Sequence, residues 1–241
     1  LRAVDGRRQE RLWRLVTERV SERTSGMGWV GVVCGVAVEV LGIDGSAISL
    51  RAREHDQELI AADGDWAASL EELQYTVGEG PGVEAFASGG PVLVSDLTVD
   101  EERWPGFADA AAEHGLGAAF AFPLQLGAIL LGTLDLYRRA SGPLPPEELS
   151  DGLALASIAT TALLTDSVGE GERHARWAQS DVVGYYDDVN VATGMLATEL
   201  KISLEDALLR LRAHAFSIKR PVTEVAKAVL DRQLRFDPPQ E

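Results

Sequence analysis

From residue 7 to 24 the apolar residues Leu12, Leu15, Val16 and Val20 recur at helical spacing among charged ones, which predicts an amphipathic helix. A break of small residues, Ser25-Gly26-Met27-Gly28, follows. The run Val30–Val40 is then almost wholly apolar and rich in β-branched residues, the pattern of a buried strand. Gly42-Ile43-Asp44-Gly45 predicts a turn and Ala47–Ala52 a returning strand, so that the two form a hairpin, with a third short strand at Glu58–Ala62. Trp66–Gly90 reads as helical pieces around Val77-Gly78-Glu79-Gly80-Pro81-Gly82. Pro91–Ser95 predicts a short strand, and Pro105–His114 a helix closed by Gly115. Ala118–Leu126 and Ile129–Tyr137 predict a second hairpin around Gly127. Beyond Pro143, Pro145 and Pro146 a helix begins near Glu147. Its seam of Leu149, Leu153, Ala156, Thr160 and Leu163 alternates steps of four and three, as a coiled-coil contact does.

The last quarter is helical throughout. Val182, Tyr185, Tyr186, Val189, Ala192 and Leu196 share one face. Ser203-Leu204-Glu205-Asp206 has the layout of a capping box with Asp at its fourth position, and Leu204, Ala207, Leu208, Leu211 and Ala215 follow at helical spacing. Pro221 suits the first turn of a short third helix carrying Val222, Val225, Ala226 and Val229, and Phe236-Asp237-Pro238-Pro239 reads as a frayed end. The fold class is therefore α+β. Residues 1–165 form an antiparallel sheet flanked by helices, 166–180 a helical linker hinged at Gly169 and Gly171, and 181–241 an all-α three-helix bundle.

Charge supports that division. The 241 residues carry a net −16, which by itself opposes nucleic-acid binding. Yet residues 181–241 hold ten acidic and eight basic side chains, against 28 and 14 in residues 1–180, and all three lysines lie in the tail. An acidic body thus precedes a nearly neutral tail whose cations can gather on one face. Cys34, alone of its kind, excludes an internal disulfide framework or a cysteine-based zinc site and fits a reducing, cytoplasmic setting. No apolar run approaches the roughly 20 residues of a membrane span. His55, His114, His174 and His214 show no metal-ligand spacing, and no Ser stands in a Gly-x-Ser-x-Gly elbow. No catalytic residue, metal or cofactor is expected, and the chain does not read as an enzyme. Gly78-Glu79-Gly80-Pro81-Gly82 lacks the Lys-Ser/Thr ending of a phosphate loop and reads better as a turn requiring positive φ.

Leu73-Gln74-Tyr75-Thr76-Val77-Gly78-Glu79-Gly80-Pro81-Gly82, Pro91–Leu97, Arg103–Phe107, Phe122-Pro123-Leu124 and Leu131–Tyr137 together resemble a GAF domain of the kind found in actinobacterial regulators, over roughly residues 10–165. The resemblance implies a six-stranded antiparallel sheet with helices on both faces. The family often has Cys where Gly82 stands here. A pocket between the sheet and Trp66–Gly90, walled by Tyr75, Glu79, Trp104 and Phe122, is expected either to hold a small molecule or to be a filled dimerisation scaffold.

The tail carries a second resemblance. Val189–Leu196, Ser203–Ala207, Arg210–Ala215 and Val222–Ala226 resemble the successive blocks of an ANTAR domain, the RNA-binding three-helix module of transcription antitermination regulators. The family usually has a basic residue at the place of Thr193 and often Gln at that of Val191. The resemblance implies binding to paired stem-loops in nascent transcripts, and two loops imply a homodimer, which the seam beginning at Glu147, with the N-terminal helix beside it, can form. Arg210, Arg212, Lys219, Arg220 and Lys227 are the candidate phosphate contacts, and Asn190 and Thr193, one turn apart, the candidates for base edges. Tyr185 and Tyr186 fit core or dimer packing better than base stacking. The competing function is a dimeric GAF protein-interaction module whose tail never touches RNA.

Overall fold

A computed structural model describes residues 6–22, 28–53, 56–99, 101–167 and 184–237. Helices α1 (Gly6–Glu22) and α2 (Trp29–Leu41) precede a hairpin, β1 (Gly45–Arg53) and β2 (Asp56–Ala62). Then come α3 (Asp65–Val77), α4 (Pro81–Ser88), β3 (Val92–Val94), α5 (Pro105–Glu113), β4 (Ala118–Leu126), β5 (Ile129–Arg138) and α6 (Pro146–Ser167). The tail forms α7 (Asp187–Leu200), α8 (Leu204–Ser217) and α9 (Val222–Leu230). The strands make one antiparallel sheet in the order β2-β1-β5-β4-β3.

Two expectations fail together. Val30–Val40 is not a strand but most of α2, so the first hairpin is β1–β2 and the sheet has five strands among the described residues rather than six. The reason is burial on nearly every side, with Glu39, paired with Arg19, the exposed exception. α2 lies among α1, α6 and the sheet, with Val30, Val32, Val33, Cys34, Val36, Ala37 and Leu41 all buried. A helix with so narrow a wet face shows little 3.6-residue alternation and reads like a buried strand, and only its length of 13 residues favours a helix. Burial also pushes the Cys34 thiol up to about 12.

Because side chains alternate across a strand, the sheet separates two cores. On one face Ile48, Ile60, Phe120, Phe122, Leu134 and Leu136 pack with α1, α2 and α6. The seam of α6 belongs to this cluster: Ala156 is buried in it, and Leu149, Leu153 and Leu163 pack against it. Arg8 and Arg11 of α1 both bind Asp151 of α6, at 2.7 and 3.0 Å. Ala156 and Thr160 of the seam are thus buried within the chain, while Leu149, Leu153 and Leu163 stay partly exposed.

On the other face Ala47, Leu59, Ala119, Ala121 and Tyr137 pack with α3, α4 and α5. The same cluster continues without a break into Tyr186, Val189, Ala192, Leu196, Leu211, Ala215, Val225 and Val229 of the tail. Three helices form in the tail, but Tyr185 and Tyr186, expected on the face of the first, lie in a turn just before α7. Ser203 caps α8, its hydroxyl accepting from the Asp206 amide at 3.0 Å. Pro221 stands just before α9 rather than in its first turn. Phe236 is not frayed but meets His214 edge-on, with ring centroids 5.3 Å apart. Val182, most of the linker at 166–180 with its Gly169 and Gly171, His55 and His174 lie outside the described residues.

Candidate functional site

The face of the sheet under α3 carries a polar stripe. On β5 the two-residue period puts Thr133, Asp135 and Tyr137 side by side, and on β1 it adds Ser49, which pairs with Thr133. Arg51 pairs with Gln57 across β1 and β2. From above, α3 lowers Glu71, which is fully buried. Its carboxylate accepts from Ser49 Oγ (2.6 Å), Gln57 Nε2 (3.0 Å), Gln74 Nε2 (3.2 Å) and Tyr137 OH (2.5 Å). Four neutral donors and no cation hold this charge, a network that is stable only if complete.

Asp135 stands beside it, 1% exposed, with Oδ2 accepting from Thr133 Oγ1 at 2.6 Å and Oδ1 without a partner. Burial first, then the negative charge of Glu71, pushes its pKa well above the usual carboxylate range. A carboxyl with a raised native pKa favours the fold most below its unfolded pKa of about 4, and that contribution is lost as pH rises through the native value. Asp135→Asn, which mimics the protonated form, should therefore gain stability relative to the parent as pH rises. Thermal melts from pH 5 to 9 check this: the two curves should diverge toward high pH, and parallel curves would show that Asp135 does not titrate.

The residues expected to wall one pocket are divided by the sheet. Tyr75 and Trp104 lie in the α3-side core, but Phe122 points through the opposite face, where its ring reaches within 2.8 Å of a Cβ built on Gly152 of α6. Phe122 cannot line the pocket. Glu79 has a structural partner, its Oε1 accepting the amides of Gly106 (2.5 Å) and Phe107 (3.0 Å) at the start of α5. A carboxylate there satisfies orphan N–H groups and complements the helix dipole. Glu79→Ala should cost about 1 kcal/mol, in line with other lost caps, and lower the melting temperature by a few degrees. The glycine-rich turn behaves as expected, with φ of 75° at Gly78 and 137° at Gly80.

The tail is seated on this site. Tyr75 of α3 stacks on Tyr186, centroids 3.9 Å apart, and carries the Arg212 guanidinium over its ring at 4.5 Å. Glu72 accepts from Tyr185 OH at 2.9 Å and from both the amide and the hydroxyl of Thr223. Glu58 accepts the Gly184 amide at 2.7 Å.

This docking decides where the candidate RNA contacts lie. Thr193 is buried and its hydroxyl donates to the Val189 carbonyl, while Arg212 is 8% exposed. Lys219 binds Glu113 of α5 at 2.7 Å, Arg220 pairs with Glu224, and Arg210 donates to the Asp237 carbonyl. Asn190 and Lys227 are exposed. The seven residues do not share one outward surface in this arrangement. Among the described residues no group of three or more His, Cys, Asp or Glu side chains gathers to hold a metal, and no helix is long and apolar enough to cross a membrane.

The family model described as GAF domain matches residues 31–163, more than half of the chain. The chain belongs to the GAF family. The GAF domain of an Acinetobacter phosphoenolpyruvate-protein phosphotransferase is similar, at 14% identity and a TM-score of 0.51, covering 67% of this chain and 96% of that one. That of the Coxiella burnetii phosphoenolpyruvate-protein phosphotransferase is 18% identical with a TM-score of 0.50, covering 67% and 95%. No curated protein matches the sequence. The GAF domain is a signal-sensing and protein-interaction module, and here it is followed by a helical region docked on it.

Within this GAF domain, Gly82 has a physical explanation. A Cβ there would lie 2.6 Å from Asp135 Oδ1, so a side chain at position 82 and a carboxyl at position 135 compete for one space. Arg51, Glu71, Gln74 and Asp135 are missing from the expected site. One signal pointed to them: Thr133-Leu134-Asp135-Leu136-Tyr137 alternates polar and apolar, an unusual stripe for a strand covered on both faces.

Proposed function

We propose that this chain is a signal-responsive regulator in which the GAF domain governs an RNA-binding bundle of the ANTAR type. It acts without catalysis, by transcription antitermination at paired stem-loops of nascent transcripts. One observation carries the reading: the blocks resembling an ANTAR domain fold as three short helices, α7 to α9, each packed on the other two, as in an RNA-binding three-helix module. The docking adds a regulatory sense. Arg212 lies over Tyr75 and Lys219 is tied to Glu113, so the GAF domain offers acidic and aromatic partners to cations that would otherwise face phosphates. We read this arrangement as the one that withholds RNA.

The test is a gel-shift titration of the full chain with an RNA bearing two stem-loops, at two salt concentrations. Binding that weakens steeply with salt is expected, and Lys227→Ala should reduce the salt slope by about one. Absence of any shift, in the parent and in chains whose docking is broken, would overturn the reading. Two stem-loops call for two bundles, so light scattering should report a homodimer. A monomer at micromolar concentration would count against it.

One feature favours the alternative, a protein-interaction module. Leu209, Phe216 and Ile218 of the bundle are exposed apolar residues, whereas most of its candidate cations have intramolecular partners. A bundle that binds no RNA but co-elutes with a protein partner through Leu209 and Phe216 would establish that role instead.

A further inference from the structure

Helix α8 is covered on every side but one. Ala207, Leu211 and Ala215 enter the core that it shares with α7 and α9. On one flank Arg212 lies over Tyr75 of α3. On the other, Arg210 donates to the Asp237 carbonyl and His214 meets the Phe236 ring, so the end of the chain covers that side. Between the flanks run Leu209, Ala213 and Phe216, spaced as one line of a helix. All three are exposed, Leu209 at 63% and Phe216 at 49%, although one edge of the Phe216 ring reaches the start of α5 beside Gly106. Single surface leucines are ordinary, but apolar residues in line, with charges at both ends, mark a contact surface.

The charges at those ends say what fits. Glu205 and Asp206 stand one turn before Leu209, and Lys219 and Arg220 follow Phe216 at the same remove. Turned end for end, the strip therefore offers the opposite charge at each end and the same apolar line between, which is what a two-fold contact requires. A second α8 laid antiparallel on the first sets Leu209 against Phe216 of the partner subunit. The acids of each copy then meet the cations of the other, whereas a parallel alignment would set like charges together. Ala213 falls at the crossing, where its small side chain permits the roughly 8–10 Å approach of packed helices. Lys219 binds Glu113 and Arg220 binds Glu224 within the chain, but both pairs are exposed and leave the cations open to a further acid. The acids also suit the dipole of α8 itself; the apolar line between them has no such use inside the chain.

We infer that the outer strip of α8 is a contact between two copies of this chain, paired antiparallel about Ala213. The inference deepens the homodimer of the proposed function by naming its surface, and it rests on that reading only for its use: two bundles joined through α8 approach two stem-loops as a pair. Asn190 and Lys227 stand on the other two helices, outside the strip.

The experiment uses the full chain without RNA, so that failure of the contact and failure of the RNA reading are separate results. Sedimentation equilibrium from roughly 1 to 100 μM should show a monomer–dimer equilibrium, because so small a strip belongs to the low end of specific interfaces. Leu209→Glu should weaken it about tenfold or more. Mixing then tests the pairing itself. Glu205→Lys with Asp206→Lys makes both ends of the strip basic, and Lys219→Glu with Arg220→Glu makes both acidic. Each of these chains alone should be monomeric, and the two together should form a heterodimer, which misfolded chains could not do. Should either double variant fail to fold, Ala213→Cys gives the answer: with Cys34 buried, the new thiol at the crossing should oxidise readily to a cross-linked dimer, while Thr198→Cys on the exposed side of α7 should not. A chain that stays monomeric over the whole range leaves the strip to a different protein and overturns the inference. So does a dimer indifferent to Leu209→Glu, a pair of folded double variants that ignore each other, or an Ala213→Cys chain that cross-links no faster than the Thr198→Cys one. A dimer of the expected kind that binds no RNA would overturn the RNA reading alone.

Discussion

Replacing Tyr186 by alanine should release the bundle from the GAF domain. Its ring is fully buried, lies 3.9 Å from that of Tyr75 and meets Tyr185 edge-on at 5.1 Å. Truncating a buried aromatic of this size typically costs 3–5 kcal/mol. The loss falls on the junction, because the sheet and its opposite core make no use of this ring. Hydrogen exchange should therefore accelerate over α7–α9 and the exposed end of α3, while β4, β5 and α6 stay protected. If the docked state withholds RNA, the same variant should bind stem-loop RNA tenfold or more tightly than the parent. Tyr186→Phe is the control. The Tyr186 hydroxyl is buried without a hydrogen-bond partner, so removing it should leave stability unchanged or slightly raised. A Tyr186→Ala chain with unaltered exchange over α7–α9 would show that the ring does not hold the bundle.

A second substitution should be more damaging still. Gly132 lies on β5 between β1 and β4, facing Leu50 on one side and Leu124 on the other. A Cβ at this position would come 1.9 Å from the Ser49 carbonyl oxygen and 2.9 Å from Leu50 Cα. These are backbone atoms in the middle of a sheet, and neither neighbouring strand can retreat without breaking its other pairing. Gly132→Ala should cost more than about 4 kcal/mol, the range reserved for such steric failures, and lower the melting temperature by roughly 10 °C or more. A variant that melts within 3 °C of the parent would show that β1 and β5 can separate cheaply.

How much of this was legible in the sequence depended on wet faces and on turn residues. α5, α8 and α9 alternate between core and solvent, and β4 and β5, though largely covered on both faces, are delimited by Gly117 and Gly127; all stand within a residue or two of their predicted places. The α2 segment has only Glu39 exposed, and its valines suit the period of a strand as well as that of a helix. The site divided in the same way. Tyr75 is legible because it sits in a recognisable block, whereas Glu71 draws its partners Ser49, Gln57 and Tyr137 from strands distant in sequence, and Asp135 is bonded only to its near neighbour Thr133 on a strand that gives no sign of what covers it. Phe122 was misassigned although the two-residue period of β4 puts it on the face opposite Ala121. Arg212 reads as a surface cation until the GAF domain is laid over it. No helical pattern in the tail could announce that its polar side also meets a partner within the chain.

The apolar cluster that runs from under α3 into α7–α9 also governs how the molecule comes apart. Neither half completes that cluster alone, so heating should produce one calorimetric peak, not a separate event for each half. Cutting the chain before residue 184 would uncover Tyr75, whose ring now meets Tyr186 and Arg212, and the severed GAF fragment would be prone to self-association. Grafting this sensor onto another output would require a new cover for that patch, shaped like the helices it lost.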